Sequence, residues 1–132
     1  MIVIDGALRD LIPSAALGAL TCTADVAADS PEQLAAFDDL IRRSESIYPD
    51  LPSVAQNPRV AATRAAYKAV GKDPSKYRNS AEAMLRRVVK KNGLYRVNNA
   101  VDANNMISIE SGYSLGSYDL AAVSGQIVFR VT

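Results

Sequence analysis

The 132-residue chain contains no histidine and only one cysteine, Cys22. Each absence removes a class of chemistry. Without histidine there is no Ser-His-Asp triad, no Cys-His nucleophile and no histidine metal site. A zinc site is excluded in practice, and neither a metal nor a cofactor is expected. One cysteine cannot form a disulfide within the chain, which fits a reducing compartment and a cytoplasmic location. No run of about 18 apolar residues occurs, so no membrane partner is expected. The first twenty residues hold Asp5, Arg9 and Asp10 instead of a basic leader before an apolar core, so no secretory signal is expected.

What is present is ordinary for a globular protein: 48% apolar and 22% charged residues. The length predicts one domain over residues 1–132. A chain of this size buries roughly two thirds of its unfolded surface, enough to fold without staples. The net charge of +1 hides an uneven distribution. Residues 59–96 hold eleven of the fifteen basic side chains and two of the fourteen acidic ones. Such a stretch suits either a surface that meets a polyanion or a solvated helical face.

The pattern predicts strands at the ends and helices between them, an α+β protein. Met1–Ile4 reads as a strand ending at an Asp5-Gly6 turn, and Leu17–Val26 as a second strand. Ser30, Pro31 and Gln33 open a helix as cap, first residue and capping-box partner, with Leu34, Phe37, Leu40 and Ile41 inward. That helix should stop before Pro49, leaving Tyr48 to Pro58 as a connector. Asn57-Pro58 opens the next helix, with Val60, Thr63, Tyr67 and Val70 along one stripe and Gly71 at its end. Ser80 is expected to cap a third helix, with Ala81, Met84, Leu85 and Val88 inward. Its like-charge pairs Arg86–Lys90 and Arg87–Lys91 mildly favour an anionic partner. Asn98-Asn99 caps a fourth helix running to Ser111, with Ala100, Ala103 and Ile107 as its apolar stripe. Gly116–Asp119 reads as a turn and Gln126–Val131 as a closing strand.

The stretch Tyr95–Asp119 is the richest in polar chemistry. Asn98, Asn99, Asp102 and Asn105 suit a polar ligand held by hydrogen bonds. They equally suit capping a helix and tying down the Gly112–Asp119 loop, and the residues alone leave both open. Ser108, Ser111, Ser114 and Ser117 have no base near them in sequence, so no catalytic residue is assigned. Tyr113 and Tyr118 suit stacking or core packing.

Residues 97–130 resemble the core of the tRNA-editing domain of the phenylalanyl-tRNA synthetase beta subunit. The shared pattern runs N-N-x-V-D-x-x-N, a glycine followed three residues later by leucine, an aromatic-Asp pair, and a G-x-I-x-x-R strand. It is matched without gaps at Asn98, Asn99, Val101, Asp102, Asn105, Gly112, Leu115, Tyr118, Asp119, Gly125, Ile127 and Arg130. Upstream, Arg64, Tyr67, Gly71, Asp73, Pro74, Tyr77, Arg78, Ser80, Glu82, Leu85, Arg86 and Arg87 are similar to the series of the free-standing relatives of that domain. The resemblance covers about residues 58–131, while residues 1–57 match only in general style.

The resemblance implies helices packed on a mixed or antiparallel sheet and a partner that is tRNA or aminoacyl-tRNA. In the synthetase this domain hydrolyses tyrosine wrongly attached to the phenylalanine tRNA, and the asparagine matching Asn105 lines the editing pocket. Two departures stand out. The family histidine after the loop leucine is replaced here by Gly116. The family domain also continues past the strand matching residues 126–131, so the chain is expected to lack that further part. The expected function is a tRNA- or aminoacyl-tRNA-binding domain. Arg64, Lys68, Arg78, Arg86, Arg87, Lys90 and Lys91 would meet phosphates. Asn98, Asn99, Asp102, Asn105, Gly116 and Tyr118 would hold the aminoacyl group. Any ester hydrolysis would rest on positioned water and polar stabilisation. The alternative is a non-catalytic RNA- or protein-interaction module of the same fold.

Overall fold

A computed structural model describes residues 1–132. In order the elements are strand β1 (Ile2–Ile4), helices α1 (Gly6–Leu11), α2 (Pro31–Ile47), α3 (Leu51–Gln56), α4 (Pro58–Ala69), α5 (Ser80–Val89) and α6 (Asn99–Ser111), a 3-10 turn (Leu120–Ala122) and strand β2 (Ile127–Phe129). The α+β expectation holds. The sheet has two strands only, and β1 pairs with β2 in parallel, Ile2 opposite Ile127 and Ile4 opposite Phe129. The expected mixed or antiparallel sheet under the helices is therefore not present. Parallel strands need a crossover, and here the whole helical set lies between them. The helices pack on one another.

Helix starts follow local hydrogen-bond chemistry. Ser30 Oγ accepts the Gln33 N–H at 3.1 Å, and Pro31 fills the first position where no N–H is needed. The Gln33 side chain does not complete the box, because its amide donates to the Asn99 carbonyl at 2.7 Å. Asn57 caps α4 through the N–H groups of Arg59 and Val60. At α5 the cap is Asn79, which accepts the Glu82 N–H at 2.7 Å, and not Ser80. Asn98 caps α6.

Three expectations are corrected. The Tyr48–Pro58 connector contains α3, whose capping box joins Asp50 and Ser53 reciprocally. Pro52 is tolerated there because it falls in the first turn. Leu17–Val26 forms no strand: it finds no ladder partner and lies exposed. On α6 the inward residues are Asp102, Ser108 and Ile109, while Ala103 and Ile107 face solvent.

The core joins Phe37 and Leu40 of α2, Val54 of α3, Val60 of α4, Leu85 of α5 and Ile109 of α6. Around it, accessible surface totals 8791 Å². A compact monomer of 14.1 kDa exposes about 6,700 Å². The extended, largely exposed runs at 12–29 and 113–126 supply much of the difference.

Gly112 ends α6 at φ 77°, and a Cβ there would lie 2.9 Å from Asn57 Oδ1. Any side chain at 112 is thus strained twice, in its backbone and against the cap of α4. Gly71 has a nearly equal φ of 76° with open space around it. Gly112→Ala is expected to cost about 1–3 kcal/mol in urea denaturation, and Gly71→Ala less. The difference between the two measures the contact with Asn57.

Candidate nucleic-acid interface and polar groove

The N-terminal end of α6 is a polar junction with Asp102 buried at its centre. Asn99 clamps the extended run before α2: its N–H donates to Ala27 O, its Oδ1 accepts the Ala27 N–H, and its Nδ2 donates to Asp25 O, each at 2.9–3.0 Å. Asp102 is fully buried and accepts the Val97 N–H on both carboxylate oxygens, at 3.2 and 3.1 Å. Asp29 lies within hydrogen-bonding reach of Asp102. The Asp29 Oδ1 atom is buried without a hydrogen-bond partner. Burial, then the bond to Asp102 and its charge, push the Asp29 carboxyl up, and Arg96 nearby opposes the shift. Arg96 also donates to Asp38 at 3.0 Å and stacks on Phe37, 3.5 Å from the ring centroid.

Of the six residues expected to hold a ligand, three are therefore occupied by the fold. Asn98 caps, Asn99 clamps and Asp102 fixes Val97. Asn105 differs. No hydrogen bond of this protein engages its side chain, and it lines a groove of about 260 Å³ with Met84, Arg87, Leu94, Tyr95 and Val97. Gly116 and Tyr118 are not part of that groove. They pack against each other on the exposed run after α6, the Tyr118 ring 3.6 Å from where a Gly116 Cβ would stand.

The seven expected phosphate-facing cations also divide. Arg64 Nη1 lies 2.7 Å from Glu82 Oε1, and Arg78 Nε lies 3.8 Å from the same oxygen. The Glu82 side chain is 1% exposed, so both arginines serve a buried carboxylate. Arg87 donates to the carbonyls of Gly93 and Asn92, closing the end of α5. Lys68, Arg86, Lys90 and Lys91 form no ion pair. Lys90 and Lys91 extend α5 past its C-terminus, where cations meet the negative end of the helix dipole.

Sequence reading missed Asp29, Arg96 and the apolar walls of the groove, and gave Gln33 a capping role in place of its bond to Asn99. The Arg78–Glu82 spacing of four was legible as an ion pair. The Arg64–Glu82 bond, eighteen residues apart, was not.

Two outcomes follow from these buried charges. Removing Arg64 leaves Glu82 buried with one weaker partner, so Arg64→Ala is expected to lose about 3 kcal/mol in chemical denaturation, and Arg64→Lys not to restore it fully. For Asp29 the folded value lies above the ordinary 3.8. Its protonated form stabilises the fold below that value, and the contribution fades as pH rises through the raised folded value. Asp29→Asn is expected to melt above the wild type at pH 7 and to converge with it near pH 4, in thermal scans across pH.

No curated protein and no solved structure matches the chain. A family model of the B3/4 domain matches residues 62–132, from the first turns of α4 through β2. That span is more than half of the sequence, and the chain belongs to the B3/4 domain family, the domain found in the phenylalanyl-tRNA synthetase beta subunit.

Proposed function

We propose that this chain is a tRNA- or aminoacyl-tRNA-binding domain acting in the cytoplasm as one unit over residues 1–132. The observation that carries the reading is the groove at Asn105. It joins the asparagine of the family pattern to Arg87 of the basic segment and lines the space between them with Met84, Leu94, Tyr95 and Val97. An apolar wall with one amide suits the side chain of an esterified amino acid, which needs apolar surface and one orienting hydrogen bond. Beside it, Arg86, Lys90 and Lys91 present unpaired charge for phosphates.

Hydrolysis at this groove has no side-chain base, since neither carboxylate nor histidine lines it. The step would be attack by a positioned water on the ester carbonyl, with donors such as the Asn105 amide stabilising the oxyanion; the ester C–O bond then breaks, and the leaving ribose oxygen takes up the proton that the water loses. The alternative, a non-catalytic RNA- or protein-interaction module, draws support from the structural duties of Asn98, Asn99 and Asp102, which leave one polar ligand-facing residue.

Titration of labelled tRNA across salt tests the binding role. Wild type should bind at low salt and weaken steeply as salt rises. In Arg86→Glu/Lys90→Glu the affinity should fall by about ten-fold or more and the salt slope flatten by about two. Unchanged binding in that variant rules out this face as the RNA surface. Deacylation of mischarged tRNA above background, lost in Asn105→Ala, supports the hydrolytic role. A background rate in the wild type removes it and leaves the binding role.

A further inference from the structure

Three tyrosines on the surface each carry a cation against the ring. Arg59 lies 4.7 Å from the ring centroid of Tyr113, Lys72 lies 5.1 Å from Tyr77, and Arg87 lies 5.0 Å from Tyr95. All three tyrosines are more than half exposed. This 132-residue chain holds three such pairs at exposed rings, beside the Arg96–Phe37 pair at the core. All three fall within or next to the basic segment.

Their placement is ordered along one helix. Tyr77 precedes Ser80, the first residue of α5, by three positions. Ser80 Oγ is 3.3 Å from Ser114 Oγ, which brings Tyr113 to the same end. Tyr95 and Arg87 mark the opposite end, about 15 Å away along ten residues of helix. Arg86 and Lys90, which form no ion pair, stand on the same helix and just beyond it.

Cations alone satisfy phosphates, and a paired helix offers little else to a flat surface. Exposed aromatic faces add affinity only for bases that are free to unstack. A ring with a cation on one face still offers the other to a base, and the guanidinium plane itself stacks. We propose that the α5 ridge, with Tyr77 and Tyr113 at one end and Tyr95 at the other, binds unpaired RNA nucleotides by stacking. This rests on the RNA-facing reading of the basic segment and specifies the strand state that the segment takes.

Fluorescence anisotropy with a short labelled single-stranded RNA and a fully paired RNA hairpin tests it. Tyr77→Ala and Tyr113→Ala are each expected to weaken single-strand binding about five-fold or more and to leave hairpin binding unchanged. Tyr77→Phe and Tyr113→Phe should keep wild-type affinity, because the ring remains. The substituted positions are exposed, and unchanged melting temperatures verify that the variants are folded. Full single-strand affinity in both alanine variants, with loss in Arg86→Glu, overturns stacking and leaves the phosphate-facing role standing. Equal loss on both RNAs also overturns it. Failure of the wild type to bind either RNA overturns both readings together.

Discussion

Helix α6 is held in place by hydrogen bonds more than by apolar burial. Its fully buried residues are Asp102, Ser108 and Ile109, of which only the last is apolar, with Met106 packed against the core beside them. A buried carboxylate without partners would expel the helix from the interior. Asp102 stays because the Val97 N–H meets both of its oxygens and Asp29 lies within bonding reach. Ser108 stays because its hydroxyl donates to the Tyr113 carbonyl at 2.6 Å. Through Asn99 the same helix fixes the run before α2, and through Gly112 it meets the cap of α4.

These hydrogen bonds also decide which family residues remain available. Asn98, Asn99 and Asp102 at the start of α6 are consumed by the fold, and one turn further on Asn105 is left with its amide in a groove. A similar division runs through the basic segment. Glu82 draws Arg64 and Arg78 inward, and the carbonyls ending α5 take Arg87. Of the seven cations expected to meet phosphates, Lys68, Arg86, Lys90 and Lys91 are left over, and Arg59, Lys72 and Lys76 of the same segment also form no ion pair. Charge count alone therefore overstates the phosphate-binding surface, and the burial of one glutamate sets the correction.

Much of the helical order was legible, since Ser30-Pro31, Asn57-Pro58 and Asn98 announce their helices through cap chemistry that is local. Helical spacing made the stripe of α4 legible, with Val60 buried and Thr63, Tyr67 and Val70 half-buried. What failed depends on partners distant in sequence. Ala100, Ala103 and Ile107 look like the buried stripe of α6 until Asp102 finds Val97 and Asp29. Leu17–Val26 has strand composition, but no neighbouring strand exists to pair with it. Prolines at 49, 52 and 58 hid α3, whose capping residues Asp50 and Ser53 stood in plain view. At the site, the family pattern pointed to Asn105. Only folding brought Met84, Leu94 and Tyr95 around it, because they come from α5 and the run that follows it.

The central claim is that one surface, formed by the end of α5 and the groove at Asn105, meets RNA. Amide NMR of the labelled protein during titration with an unmodified tRNA tests it most directly. The account predicts shifts centred on Arg86, Lys90, Lys91, Tyr95 and the Asn105 side-chain amide, with Tyr77 and Tyr113 the further positions that move and with α2 and the sheet unmoved. Shifts centred on α2 or on β1 and β2, with α5 and Asn105 silent, would contradict it.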